Sequence, residues 1–424
     1  MNGTLLWVDD EIELLKAYVI FLEKKGYRVM TATNGQDALD MCHEQTFDMI
    51  FLDENMPGLS GLETLTMIKD INPVGSKISD YLIKPVNPSQ ILLTLKKHLF
   101  KKEIEAEVTN TSYRQEFASI GMQINDSYSL DDWKEVYKKL VTWELKLSDA
   151  DSGMTEMLQS QKSEANSGFA KFIKKNYMRW MEQPEQRPLM SPDVFKSTIF
   201  PLLDKGEKVF LIVFDNFRYD QWREISKELS DDYVFDEQMC LSILPTATQY
   251  SRNAIFSGLM PVQIAQMFPD LWVDEDEEEG KNLNEDALIG KQIERYRRKH
   301  PYSYFKLNSS ADSEKIIGKL NNLRNNELNV IVVNFIDMLS HARTESRMVR
   351  ELASDEKAYR SITSSWFCNS PIREIFRELA KTDVKVVITT DHGSIRVNTP
   401  LKVVGDKNTN TNLRYKLGKN LSYN

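Results

Sequence analysis

The sequence predicts an α/β protein in three parts, with a parallel-sheet domain at each end and a helical segment between them. Three observations predict it. Short apolar runs alternate with amphipathic stretches over residues 1 to about 86, and the alternation returns from about 207. Several of those runs lead directly into aspartate. Residues 88 to about 200 hold no convincing strand.

In the first part the strand candidates are LLWV, YRVMTA, DMIFL and DYLI. Asp9 and Asp10 follow the first, and Asp53 follows the third. A doubly wound sheet puts its ligand site beyond the carboxyl ends of its strands, so these carboxylates converge on one edge. Such a cluster repels itself unless a cation neutralises it, and oxygen-only ligands suit Mg²⁺. Lys84, after DYLI, points into the same pocket, and Pro85 fixes the turn behind it.

The middle part carries SLDDWKEVYKKLVTWELKL and FAKFIKKNYMRWM, where apolar residues recur three or four apart. Trp133, Trp143 and Trp180 belong to that stripe and predict the core of a small bundle. Its use is mechanical, joining the two sheet domains. EQPEQRPLMSPDVF, with three prolines, closes the segment as a linker or a helix-capping loop.

In the third part KVFLIVFD, NVIVVNFID and VKVVITTD are continuous apolar runs, as in a sheet covered on both faces. They end in Asp215, Asp337 and Asp391, which predicts three carboxylates along one sheet edge. Two of the five histidines lie beside them. Asp337 and His341 are spaced i, i+4 and share a face if that segment is helical. Asp391 and His392 are adjacent. Mixed Asp/His donors without cysteine suit Zn²⁺, with Mn²⁺ second. LPTATQYSRNAIFSG reads as strand end, turn and helix start, where a threonine hydroxyl at a helix N-terminus gains from the dipole and can serve as a nucleophile. Arg252, one turn on, reads as a surface residue. DEDEEEGKNLNED, around Asp274 to Glu279, reads as a solvated loop.

Composition narrows the function classes. The chain has 424 residues, 41% hydrophobic and 28% charged, enough for several domains. No apolar run reaches the length needed to cross a bilayer, and MNGTLLWVDDE has no signal-peptide character. Cys42, Cys240 and Cys368 fit neither a disulfide framework nor a thiolate site, which predicts a reducing cytoplasm. A net charge of -9 disfavours unspecific binding to duplex nucleic acid, and no helix-turn-helix signature is present.

VDDE, LDENMPG and the Lys84-Pro85 pair resemble a response-regulator receiver domain with the flavodoxin-like fold. The resemblance implies that Asp53 is the phosphoacceptor. It also implies Asp10, Asp53 and the Asn55 carbonyl as Mg²⁺ ligands, assistance from Asp9, a phosphoryl contact from Lys84 and an aromatic switch at Tyr81. The family's fourth strand and helix have no counterpart, because INP runs straight into VGSKISDYL. A stretch near Pro73 is therefore expected to be missing, and the Thr/Ser switch residue has no assignment.

The later motifs are similar to the PglZ domain, an α/β/α variant of the alkaline phosphatase superfamily. That resemblance implies one zinc on Asp215, Thr248, Asp391 and His392, and a second on Asp337 and His341. It implies Thr248 rather than Thr246 as the nucleophile, since Thr248 lies ten residues before Gly258. The family's third histidine is absent after His392, so a further tail is expected, or a site with one metal. The expected domains are thus a receiver over 1–104, a helical bundle over 105–200 and a PglZ domain over 201–424. This order resembles the PorX-type response regulators of type IX secretion in Bacteroidetes. That implies a cognate histidine kinase, a homodimer on phosphorylation and a zinc-dependent phosphodiesterase acting on nucleotides or oligonucleotides. The alternative is a metal-stabilised, non-catalytic module that binds another regulator or a secretion component.

Overall fold

A computed structural model describes residues 2–71, 84, 87–99, 101–148, 152–274, 282–397, 399–407, 409–410 and 414–423. The DYLI run, Tyr81, Pro85, the junction near Pro73 and residues 275–281 of the acidic stretch lie outside the described residues. The chain divides into two compact units. One comprises Met1–Ser119 with Asp149–Thr155, the other Ile120–Ser148 with Glu156–Asn424. The helical segment expected as a body of its own is therefore shared between them. No helix among the described residues is long and apolar enough to cross a membrane.

In the first unit, β1 (Thr4–Val8), β2 (Arg28–Ala32) and β3 (Met49–Leu52) form a parallel sheet in the order β2-β1-β3. These match the first three predicted strands. Alternation along β1 sends Leu5 and Trp7 into one core with Leu22, Ile91 and Leu95. It sends Leu6 and Val8 into another with Ala32, Ala38 and Met56. Ile91 and Leu95, one turn apart on the helix Pro88–Leu99, are the apolar stripe that seats that helix on the sheet. Val8 pairs in register with Leu52, so Asp9 and Asp53 leave the sheet side by side.

The second unit is built on four parallel strands: β4 (Lys208–Phe214), β5 (Tyr302–Leu307), β6 (Leu328–Val333) and β7 (Val384–Thr390), in the order β5-β6-β4-β7. β4, β6 and β7 are the three predicted runs. Val209, Leu211 and Val213 enter one core, while Phe210, Ile212 and Phe214 enter the core on the opposite face. That explains why the run is apolar at every position. Phe214 is in register with both Val333 and Thr390, which levels the carboxyl ends of β6, β4 and β7.

The helix Leu130–Lys146 begins at a capping box, in which the Ser129 hydroxyl accepts from the Asp132 amide and the Asp132 carboxylate accepts from the Ser129 amide. Trp133, Val136, Leu140 and Trp143 line its buried face. Trp180, on the helix Ser152–Glu182, packs with Met190, Ile243 and Ala254. The proline-rich stretch is thus part of this unit's core, with Met190 fully buried, and not a free linker.

Candidate active site

At the carboxyl ends of β4 and β7, Asp215, Asp391 and His392 are all buried, and each offers a ligand atom within 4.8 Å of the others. Thr248 is the first residue of the helix Thr248–Ser257, which ends at Gly258 in the left-handed conformation (φ 63°). The Thr248 hydroxyl donates to Asp215 Oδ1 at 3.2 Å and lies 3.1 Å from His392 Nε2. The expected set Asp215, Thr248, Asp391 and His392 therefore converges on one point.

The electrostatics of this point suit a cation. Asp391 Oδ2 is buried without a hydrogen-bond partner, and the Arg252 guanidinium that balances it stands 3.7 Å away, so the oxygen keeps its lone pairs for a ligand. Burial, then the charge of Asp215, raises the Asp391 carboxyl well above its ordinary range. Burial, then the charge of Arg414, lowers His392 to about 4, so the imidazole is neutral and free to ligate. His392 Nδ1 lies 3.2 Å from both the Gly393 carbonyl and Arg414 Nη1, which fixes the ring with Nε2 toward Thr248 and Asp215. Two carboxylates, an imidazole and a hydroxyl form a donor set that fits a divalent ion.

The second expected pair sits differently. Asp337 does not end a strand, because β6 stops at Val333 and Asp337 lies in the first turn of the helix Phe335–Glu345. His341 follows one turn later with Nε2 3.4 Å from Asp337 Oδ2, and its side chain is 68% exposed. Among the described residues no third His, Cys, Asp or Glu joins them in a ligand cluster. Asp337 Oδ1 instead accepts from Asn216 Nδ2 at 3.1 Å. Burial, then the charge of Asp215, raises the Asp337 carboxyl.

Three residues that the sequence reading left out or misplaced complete the site. Asn216 takes a left-handed φ of 59°, which asparagine tolerates, and its amide donates to Asp391 Oδ1 at 3.2 Å. Arg252 is not on the surface but 1% exposed. Its Nη1 donates to Asp215 Oδ2 at 2.7 Å and its Nε to Glu285 Oε1 at 2.5 Å. Its i+4 relation to Thr248 was the available signal, and its buried partner Glu285 was out of sight 33 residues on. Arg414 donates to the Gly393 carbonyl at 2.8 Å, with Nη1 3.2 Å from His392 Nδ1.

In the first unit, Asp9, Asp10 and Asp53 also offer ligand atoms within 4.8 Å of one another. Asp9 is buried, accepts from the Glu11 amide at 3.0 Å and pairs with Lys84 Nζ at 2.9 Å. Lys84 Nζ also reaches Asp53 Oδ1 at 3.0 Å. Burial lowers the Lys84 ammonium, but bonding to Asp9 and Asp53 outweighs it and the net shift is upward. Asn55 is exposed on the loop after Asp53. Oxygen-only donors, one carboxylate reaching solvent at Asp10, fit a hard cation such as Mg²⁺.

A response regulator carrying an alkaline phosphatase-like second domain is the class that these two sites and their sheets define. Family models agree in three stretches: a response regulator receiver domain over 5–78, a PorX response regulator linker domain over 103–181 and a BREX system PglZ alkaline phosphatase-like domain over 194–424. The chain belongs to the PglZ alkaline phosphatase-like family, in the PorX-type order of receiver, linker and PglZ domain. It is similar to the transcriptional regulatory protein ZraR of Klebsiella oxytoca, 34% identical over 137 residues, 28% of this chain and 31% of that one. It is also similar to the transcriptional regulatory protein CpxR homolog of Haemophilus influenzae, 30% identical over 162 residues, 34% of this chain and 70% of the relative. The chain thus spans less than a third of ZraR. Among solved structures, the Vibrio cholerae chemotaxis protein CheY4 matches at 26% identity and a TM-score of 0.22, covering 23% of this chain and 98% of its own.

Proposed function

We propose that this response regulator is phosphorylated on Asp53 by a cognate histidine kinase, and that the phosphoryl group controls dimerisation and a zinc-dependent phosphodiesterase in the PglZ domain. The substrates are nucleotides or oligonucleotides, and the output regulates type IX secretion. The observation that carries the reading is the Thr248 hydroxyl at a helix N-terminus, within hydrogen-bond reach of both Asp215 and His392.

Asp215, Thr248, Asp391 and His392 would hold the zinc. Zinc, when bound, supplies positive charge that stabilises the alkoxide of Thr248 and the negative oxygens of phosphorus. The Thr248 hydroxyl gives its proton toward Asp215 Oδ1, its acceptor in this geometry. The Thr248 oxygen then attacks phosphorus, the ester oxygen departs with its electron pair, and a phosphothreonine forms. Water hydrolyses it and restores the hydroxyl. Arg252 holds Asp215 Oδ2, so that Oδ1 faces Thr248 throughout. In the receiver, Asp53 would carry the phosphoryl group, Asp10, Asp53 and the Asn55 carbonyl, assisted by Asp9, would hold Mg²⁺, Lys84 would pair with the new charge, and Tyr81 would be the switch residue.

A second reading, a metal-stabilised interaction module that binds another regulator or a secretion component, is favoured by the exposed His341 and the two-ligand Asp337/His341 pair. One comparison separates the two. The Thr248→Ala protein is expected to retain zinc by elemental analysis while hydrolysis of a generic phosphodiester falls by about a thousandfold or more. Wild-type turnover in that variant, with Thr246→Ala inactive, would move the nucleophile. Zinc without turnover in the wild type would favour the module.

A further inference from the structure

A chain of ion pairs, partly exposed at its ends and buried at its centre, runs through the second unit from its long helices to the site. Lys162 Nζ meets Glu144 Oε2 at 2.6 Å, and Glu144 Oε1 accepts from Arg360 Nη1 at 2.9 Å. Arg360 Nη1 also reaches Asp220 Oδ2 at 3.1 Å. Arg218 grips Asp220 with two bonds, Nε to Oδ1 at 2.9 Å and Nη2 to Oδ2 at 2.8 Å. Its remaining nitrogen donates to Glu356, whose second oxygen accepts from Arg343 at 3.0 Å. Both guanidiniums stand over the Tyr359 ring, Arg218 at 5.1 Å and Arg343 at 5.0 Å from its centroid.

Both ends of this chain have meaning. Glu144 lies on the helix Leu130–Lys146, within the stretch that matches the linker family. Arg218 closes the loop that begins at Asp215, where the Asn216 amide bonds Asp391 and the Phe217 amide bonds the Thr390 hydroxyl at 3.0 Å. Arg343 lies on the helix that carries Asp337 and His341. Tyr359 donates from its hydroxyl to the Ile336 carbonyl, next to Asp337, at 3.3 Å. The charges alternate in sign from end to end. The side chains of Arg218, Asp220 and Arg360 are each under one-tenth exposed, so removing one partner strands a buried charge and the neighbours must shift.

We propose that Glu144, Arg360 and Asp220 are positioning residues for the Thr248 site, making the placement of a linker helix a determinant of site geometry. The chain fixes the Asp215 loop and the Asp337 helix relative to one another through Glu356, and fixes both to the linker helix through Asp220 and Arg360. A displacement of that helix therefore reaches the zinc donors without passing through the sheet. The inference deepens the phosphodiesterase reading and rests on its zinc site for the affinity readout, while the exchange readout stands without it.

The test uses the full chain with Glu144→Gln, Arg360→Gln, the double variant and Arg360→Lys. Lys134→Gln serves as the control, since Lys134 pairs with the exposed Asp131 on the same helix as Glu144. Amide hydrogen exchange is read over residues 215–218 and 335–345, with zinc affinity by chelator competition. Glu144→Gln and Arg360→Gln should each speed exchange in those two segments and weaken zinc by about three- to thirtyfold. The double variant should be no worse than either single, because the two side chains act as one unit. Arg360→Lys should recover much of the loss, and Lys134→Gln should match the wild type. Unchanged exchange and zinc affinity in both single variants would overturn the proposal. So would faster exchange spread evenly through the unit with a lowered melting temperature, since the ion pairs would then serve stability alone. A zinc-loaded wild type without turnover would defeat the phosphodiesterase reading and leave the exchange comparison intact.

Discussion

His392 is held neutral by its surroundings, and this sets how the metal-free site answers to pH. Its ionisation is lowered to about 4 by burial and then by Arg414, whereas an unfolded histidine titrates near 6.5. Between those values the unfolded chain binds a proton that the folded chain does not, so this residue's contribution to stability rises with pH. The contribution, at most about 3 kcal/mol, is complete above pH 6.5 and lost as pH falls to 4. Asp391 works with the opposite sign, because its carboxyl is raised by folding. A comparison with His392→Gln isolates the imidazole. In urea unfolding of the metal-free protein, the stability of wild type relative to the variant should shrink steadily from pH 7 to pH 4. A constant difference across that range would show that the imidazole titrates normally in the folded chain.

Single elements place the reacting groups, and the receiver loop shows how tightly. Gly61 opens the helix Gly61–Ile71, and a Cβ there would lie 2.4 Å from the Asp53 carbonyl oxygen and 2.9 Å from Glu54 Cα. Both contacts are backbone, so Gly61→Ala must push the loop that carries Asp53. Phosphorylation by acetyl phosphate with Mg²⁺, followed by intact mass, is expected to slow by at least about tenfold, because small misplacements of reacting groups are costly. A wild-type rate would mean that the loop relaxes without moving the carboxylate. At this scale much of the architecture was legible in the sequence. β4 and β6 announce themselves because both of their faces are buried, β7 because its run is apolar although it is half-buried at the other sheet edge, and Asp9, Asp53, Asp215 and Asp391 follow from strand ends. β5 was missed because YSYFKL is half-buried at a sheet edge and carries no apolar run. Asp337 was misplaced because the helix starts two residues after β6, which no local signal marks. Arg252 was misread because the helix Thr248–Ser257 is buried almost all round and so lacks an amphipathic pattern, and its countercharge is remote in sequence.

The whole molecule carries an acid pocket around Asp53 in one unit and, in the other, a second carboxylate cluster beside Thr248. A modification at the first can change the second only by stabilising one of two states more than the other. A coupling of about 1–3 kcal/mol would change the rate between five- and a hundredfold or so. Symmetric dimerisation is one route, since closed two-fold assemblies are the commonest. The ion pairs from Glu144 to Arg343 would be a route within the second unit. Both converge on one claim, that the state of Asp53 sets the rate at Thr248. The most direct measurement is the initial rate of bis(p-nitrophenyl) phosphate hydrolysis by the zinc-loaded full chain, with and without beryllofluoride and Mg²⁺, beside Asp53→Ala. The account predicts a change of at least about fivefold on adding beryllofluoride to the wild type, and none in Asp53→Ala. A measurable rate that is identical with and without the phosphoryl mimic would contradict it.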